Sequence, residues 1–265
     1  MPTLRLAVLS LLVSSAFLGA CTDQEEELST TEQGITWSTQ QFFNCANGCD
    51  QQVLGPASNL TCFLAGVTGH LDGVGSVGPH VFIAINSDGN WQLDARYVQQ
   101  VIVTCISATA NRIIGYSLSV DPDKDLGLAT AHRRCFLTGG WFLVGSSNPT
   151  PHYSDTIRVY QYRGHWFVGA AMTSVEAASM AVCVDVPSFV GDFGFNHDTS
   201  GSITGSLVPS HNTNNACGLS LLQGAFGVYP GSAPYPGVRI YQLPDWVWTF
   251  DEHVGAVATC VSGTP

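Results

Sequence analysis

Short apolar runs with a period near two, separated by clusters of Gly, Pro, Asn and Asp, recur along most of this 265-residue chain. That pattern predicts half-buried β-strands joined by turns. The clearest runs are "VFIAI" from Val81, "IRVYQY" from Ile157 and "VRIYQL" from Val238, each followed by a turn and a tryptophan. The Asp88-Gly89 pair after the first run predicts a tight hairpin with positive φ at both central positions. Arg163-Gly164 and Pro244-Asp245 hold the corresponding places with different turn chemistry. No ten-residue segment carries a helical stripe.

The runs belong to a larger repeat. "CFLAG" from Cys62, "CFLTG" from Cys135 and "CGLSL" from Cys217 open three units, which reach Trp91, Trp166 and Trp246 and close on Cys105, Cys183 and Cys260. The Cys-to-Trp and Trp-to-Cys spacings are 29 and 14, 31 and 17, and 29 and 14. Landmarks that agree three times predict an all-β domain of three tandem antiparallel β modules with pseudo-threefold arrangement, its repeats at 62–134, 135–216 and 217–265. The tryptophans fit repeated core plugs better than ligand platforms. The third copy departs from the pattern at Gly218.

The N-terminus changes the picture of where this domain works. Residues 1–20 carry one cation, Arg5, an apolar stretch and then small residues, the pattern of a secretory signal. Leu18, Gly19, Ala20 and Cys21 resemble the lipobox of bacterial lipoproteins. That resemblance implies cleavage before Cys21, lipidation of its thiol and a membrane anchor; Thr22, standing where that family often places an aspartate for inner-membrane retention, implies outer-membrane sorting. An ordinary signal followed by a coincidental cysteine is the alternative. Residues 21–34 hold five acids and no base, too little apolar surface to offset chain ordering, and read as an acidic tether. A net charge of −11 with a single lysine, Lys124, argues against a nucleic-acid partner.

In an exported chain the eight remaining cysteines read as disulfides. The repeat suggests Cys62 with Cys105, Cys135 with Cys183 and Cys217 with Cys260, leaving Cys45 to Cys49; bridges between neighbouring units are the alternative. After Cys105 and Cys183 come 29 and 33 residues before the next unit, but only five follow Cys260. The 27-residue segment 35–61 is therefore expected to supply the element missing from the third unit and to close the body, removing exposed strand edges.

Candidate chemistry lies in two kinds of loop. Gly-, Pro- and Ser-rich segments in corresponding places carry His80, His152, Tyr153, Tyr229 and Tyr235, which suit a glycan or protein ligand. Asp121, Asp123 and Asp125, and in the next unit Asn196, Asp198 and Ser200, place oxygen ligands at alternate positions ahead of glycine, as a short Ca²⁺ loop requires. Solvated turn tips have the same composition. No other cofactor is indicated, and no nucleophile elbow, zinc-protease helix, phosphate loop or dinucleotide fingerprint occurs.

The "CFL" openings, with "IRVYQY" and "HWFVGA", resemble cysteine-bracketed β modules of bacterial and phage adhesin or fibre-tip proteins. The resemblance implies a binding or adhesive head on an outer-membrane lipoprotein. A cell-envelope hydrolase and a structural envelope protein are the alternatives.

Overall fold

The computed structural model describes residues 35, 38–69, 72–73, 79–143, 156–171, 176–194, 203–206, 215–224, 237–241, 247–250 and 254–263. It is all-β, with no helix among the described residues. The N-terminal segment forms β1 (Ser38–Asn44) and β2 (Cys49–Pro56). The first unit forms β3 (Thr61–Gly69), the two-residue β4 (Asp72–Gly73), β5 (His80–Ile85), β6 (Asn90–Arg96) and β7 (Val98–Ile106), followed by linker strands β8 (Ile113–Leu118) and β9 (Lys124–Leu128). The second forms β10 (Arg133–Leu143), β11 (Thr156–Tyr162), β12 (His165–Ala171) and β13 (Glu176–Asp185), then linkers β14 (Ser188–Gly194) and β15 (Ile203–Ser206). The third forms β16 (Asn215–Gly224), β17 (Gly237–Tyr241), β18 (Val247–Phe250) and β19 (Val254–Ser262).

These strands make three sheets with one plan. Their orders are β1-β7-β3-β17-β18-β15, β8-β13-β10-β5-β6-β2 and β14-β19-β16-β11-β12-β9, with β4 added in parallel to β10 in the second. In each sheet a linker strand is followed by the closing and opening strands of one unit, then by the hairpin of the preceding unit, then by another linker strand. The hairpin thus leaves its own unit and covers the free edge of the next unit's opening strand. A repeat is therefore not a self-contained sheet, which spacing within one unit does not disclose.

Register repeats as faithfully as order. Cys62 faces Cys105, Cys135 faces Cys183 and Cys217 faces Cys260 across antiparallel ladders. All three pairs are disulfides with Cα–Cα distances of 4.0, 4.0 and 4.1 Å, the close facing pair of such a ladder. Cys45 is bridged to Cys49. Each opening strand then bulges at the same place, three residues past its cysteine, at Ala65, Thr138 and Ser220. Two residues further on, Val67, Gly140 and Leu222 face Val238, Val81 and Ile157 of the incoming hairpin.

Hairpin strands such as β6 alternate between buried and half-buried positions, as the period-two pattern predicts. The opening strand β3 is buried on both faces because it lies inside its sheet and over the shared core. At that core the rings of Phe63 and Phe136 stack with centroids 4.0 Å apart and planes at 10°, a contact worth about 1 kcal/mol beyond its area. The third unit places Gly218 at the matching position. A Cβ there would lie 2.3 Å from the Phe63 ring and 2.9 Å from the Phe136 ring, so the core has room for two rings and the third unit yields.

The hairpin turns differ from expectation in one respect. Arg163 (φ 51°) and Gly164 (φ 79°) form a two-residue turn with both φ values positive. Between β5 and β6 only Gly89 (φ 77°) is positive, because Asn86 Oδ1 accepts the backbone N–H groups of Asp88 and Asn90 and holds a longer loop. Pro244-Asp245 lies outside the described residues. At the closure, Ser38 Oγ donates to the Asn215 carbonyl at 3.0 Å, and Ile35 packs against Gly263. β1 and β2 join the first and second sheets as β8 and β9 join the second and third. Edge strands nevertheless remain in the described ladders, since every sheet ends on short linker strands; the expectation that closure removes edges is corrected accordingly.

Candidate functional site

The loop residues chosen from sequence fare unevenly. His80 begins β5, stacks on Phe82 with ring centroids 5.4 Å apart and lies 3.5 Å from Asp94 Oδ1, a position on the ladder rather than at a loop tip. His152, Tyr153, Tyr229 and Tyr235 lie outside the described residues, as do Cys21, Asn196, Asp198, Ser200 and Trp246. Asp121 sits in the turn after β8. Asp123 accepts the Tyr160 phenol, and Asp125 accepts the Gly127 N–H at 2.7 Å while lying 2.9 Å from His165 Nδ1. The Gly127 N–H and then His165 hold the Asp125 carboxyl below its ordinary range. These carboxylates fasten β9 to the hairpin β11-β12, and no cluster of three metal-ligating side chains occurs among the described residues.

A different place gathers more chemistry. A cleft of about 420 Å³ opens on the third sheet, lined by side chains from six strands. Its floor is apolar, with Leu221 on β16 facing Val257 on β19, and Val159 on β11 lines it as well. Trp166, Tyr160 and Phe189 line it too, the Tyr160 ring packed on Phe167 on the hairpin face opposite Trp166, and Gln161, Arg134, Asp192, Ser220 and Thr259 supply polar groups. Thr259 Oγ1 donates to Asp192 Oδ1 at 2.7 Å and lies 3.0 Å from Ser220 Oγ, so the bulge hydroxyl is tied to the linker carboxylate. Asp192 itself is exposed.

Arg134 forms one wall. Its guanidinium carbon stands 4.3 Å from the centre of the Phe189 ring, and Nη1 donates to the Arg133 carbonyl at 2.6 Å and the Thr130 carbonyl at 3.4 Å. Burial lowers its pKa, and the charge of Asp192 works in the opposite direction. Tyr160 is pushed up to about 12, first by burial and then by its hydrogen bond to Asp123, so its phenol is neutral. Arg158 stacks on the same ring at 4.6 Å.

The tryptophans now separate. Trp91 is fully buried and its Nε1 donates to the Leu60 carbonyl at 2.7 Å, as a core plug should. Trp166 is 7% exposed and borders the cleft, and its Nε1 has no partner among the described residues.

The same register position in the other sheets shows why the cleft is here. Asp192 faces Thr259, Gln40 faces Thr104 and Ile114 faces Val182. In the first sheet Gln40 Nε2 reaches across to the Ile240 carbonyl at 2.8 Å and to Thr104 Oγ1 at 3.3 Å, and Phe42 stacks on Tyr241. The longer amide and the Phe42 ring thus fill the space that Asp192 and Gly194 leave open. In the second sheet the corresponding side chains, Ile114, Val182 and Ala84, are apolar. The one signal in the sequence for this site is a departure from the repeat on β14, a strand with no Gly- or Pro-rich loop to draw attention to it. No known family model matches the chain, and no significantly similar curated protein was found.

Proposed function

We propose that the protein is an exported binding head, lipid-anchored at Cys21 to the outer membrane through the acidic tether, and that it recognises a carbohydrate in the third-sheet cleft. The observation that carries this reading is the cleft's composition. An indole edge with its Nε1 unpartnered among the described residues, beside an amide, an exposed carboxylate and hydroxyls, suits the hydroxyl edges of a sugar ring. A disulfide-reinforced scaffold holds these groups on strands, so little ordering is needed on binding. Against the hydrolase alternative, the lining residues include one carboxylate and no histidine, where glycoside hydrolysis calls for a carboxyl pair and a serine nucleophile calls for a base.

A glycan array probed with the detergent-solubilised full-length protein tests the reading, and discrete glycan hits are the expected result. Silence on the array together with cleavage of ester or glycoside substrates would establish the hydrolase, and silence in both would leave a structural envelope protein. Cys21→Ser is expected to release the protein from the membrane fraction; undiminished retention would remove the lipid anchor.

A further inference from the structure

We infer that the ligand of the third-sheet cleft carries a carboxylate, as an acidic sugar of the uronic-acid class does, and that Arg134 holds it. The inference rests on the carbohydrate reading above and narrows it. It begins with how the bases of this acidic chain are used, nine Lys and Arg against twenty Asp and Glu. Arg96 pairs with Asp50 at 3.1 Å and Arg133 with Asp185 at 3.1 Å. Arg112 donates to the carbonyls of Ala57 and Leu60 and lies over Trp91. Arg134 shares with Arg112 an Nη1 bonded to two backbone carbonyls and an aromatic ring against the guanidinium, and differs from all three in bordering the cleft. Its Nε and Nη2 donate to no described residue.

Those two N–H groups lie along one edge of the guanidinium, the fork that accepts a carboxylate bidentately. The Phe189 ring and the Nη1 bonds fix the plane of the fork before any ligand arrives. A half-buried cation without a bonded counter-ion is costly, and burial already weakens its hold on its proton. A ligand carboxylate relieves that cost; a neutral polyol does so only in part.

Two further observations shape the rest of the ligand. Asp192 presents its carboxylate to the same cleft with Oδ1 held by Thr259, so it asks for hydroxyl donors and disfavours a doubly charged phosphate. Trp166 Nε1, buried and unpartnered, asks for an acceptor. A ring bearing one carboxylate and several hydroxyls meets all three demands. The arginine is also not required by the fold, since the residue before the opening cysteine is Ala216 in the third unit and Thr61 in the first.

The test is calorimetric titration of the detergent-solubilised full-length protein with galacturonate and glucuronate di- and trisaccharides, their neutral hexose counterparts and their sulfated counterparts. The uronates are expected to bind at least about tenfold more tightly than the neutral sugars, the difference made by one charge-assisted contact. Arg134→Gln should abolish that preference, and Arg134→Lys, which keeps the charge and loses the fork, should retain only part of it, both variants still unfolding in one cooperative thermal transition. Equal affinity for neutral and acidic sugars, a preference that survives Arg134→Gln, or tighter binding of the sulfated series would overturn the inference and leave the carbohydrate reading standing. Absence of binding by every sugar would remove both.

Discussion

The first and third sheets share strand order, disulfide register and bulge, yet one is filled and the other open at the same place. In the first, Gln40 spans from Thr104 to the Ile240 carbonyl; in the third, Asp192 reaches only Thr259. The floor follows: Ile102, facing Phe42, is fully buried, whereas its counterpart Val257, facing Gly194, is half-buried. Gln40 against Asp192, and on the same face Phe42 against Gly194, separate a packed surface from a cleft. The lesson is that the threefold plan builds a scaffold, and chemistry arises where one copy departs from it.

The most severe way to break the comparison is to remove what the two sheets have in common. The Cys62–Cys105 and Cys217–Cys260 bridges each span 43 residues, so loop-closure entropy gives each about 4 kcal/mol. Replacing either pair by alanines should lower stability by that amount and by the same amount, read from urea unfolding extrapolated to water, with m rising as the unfolded chain loses its cross-link. A third-unit pair that costs far less than the first would show that the two sheets are not structural equals.

Next in size is the core position at which they differ. Gly218→Phe forces a third ring against Phe63 and Phe136 and should cost about 3 kcal/mol or more. Adding Phe63→Gly to that variant moves the vacancy to the first unit and should recover at least half of the loss. A double variant no more stable than the single one would show that the three positions are not interchangeable.

A smaller effect on stability carries the larger functional weight. Asp192→Gln should bring an amide to the Val159 carbonyl as Gln40 reaches that of Ile240, with the melting temperature held or raised and ligand binding lost. Gln40→Ala, in the opposite direction, forfeits two hydrogen bonds and should cost about 1–2 kcal/mol. Retained binding by Asp192→Gln would detach the site from this cleft.

Much of the scaffold was legible in the chain because cysteine and tryptophan spacings are covalent facts that a repeat must preserve. The disulfide pairing and the joining role of segment 35–61 followed from them. The transfer of each hairpin to the next sheet did not, since spacing inside a unit is silent on which foreign edge a strand will cover. Gly218 was visible as an exception, but its reason requires three opening strands to meet. The alternation of Asp121, Asp123 and Asp125 is visible in the chain, but their neighbours in space are not, since Tyr160 and His165 stand 37 and 40 residues further along from Asp123 and Asp125. The cleft itself was invisible to a search of loops, being assembled from strand residues whose only mark is a broken repeat.

The finest probe of the open sheet is the phenol at its rim. Tyr160 is held near pKa 12 by burial first and by donation to Asp123 second, against an ordinary value of 10.0. The folded state therefore keeps this proton more tightly than the unfolded chain. The stabilisation is fully present below about pH 10 and fades as pH rises through about 12. Because the ring is half-buried, solvent screens much of it, and the effect on stability is small. An ultraviolet titration at 295 nm of the protein minus its Tyr160→Phe variant should show one phenolate step near pH 12. Asp123→Asn should bring that step down only partway, since burial remains. A step near pH 10 in the unmodified protein would mean that the phenol is solvated and that Asp123 does not hold the hairpin.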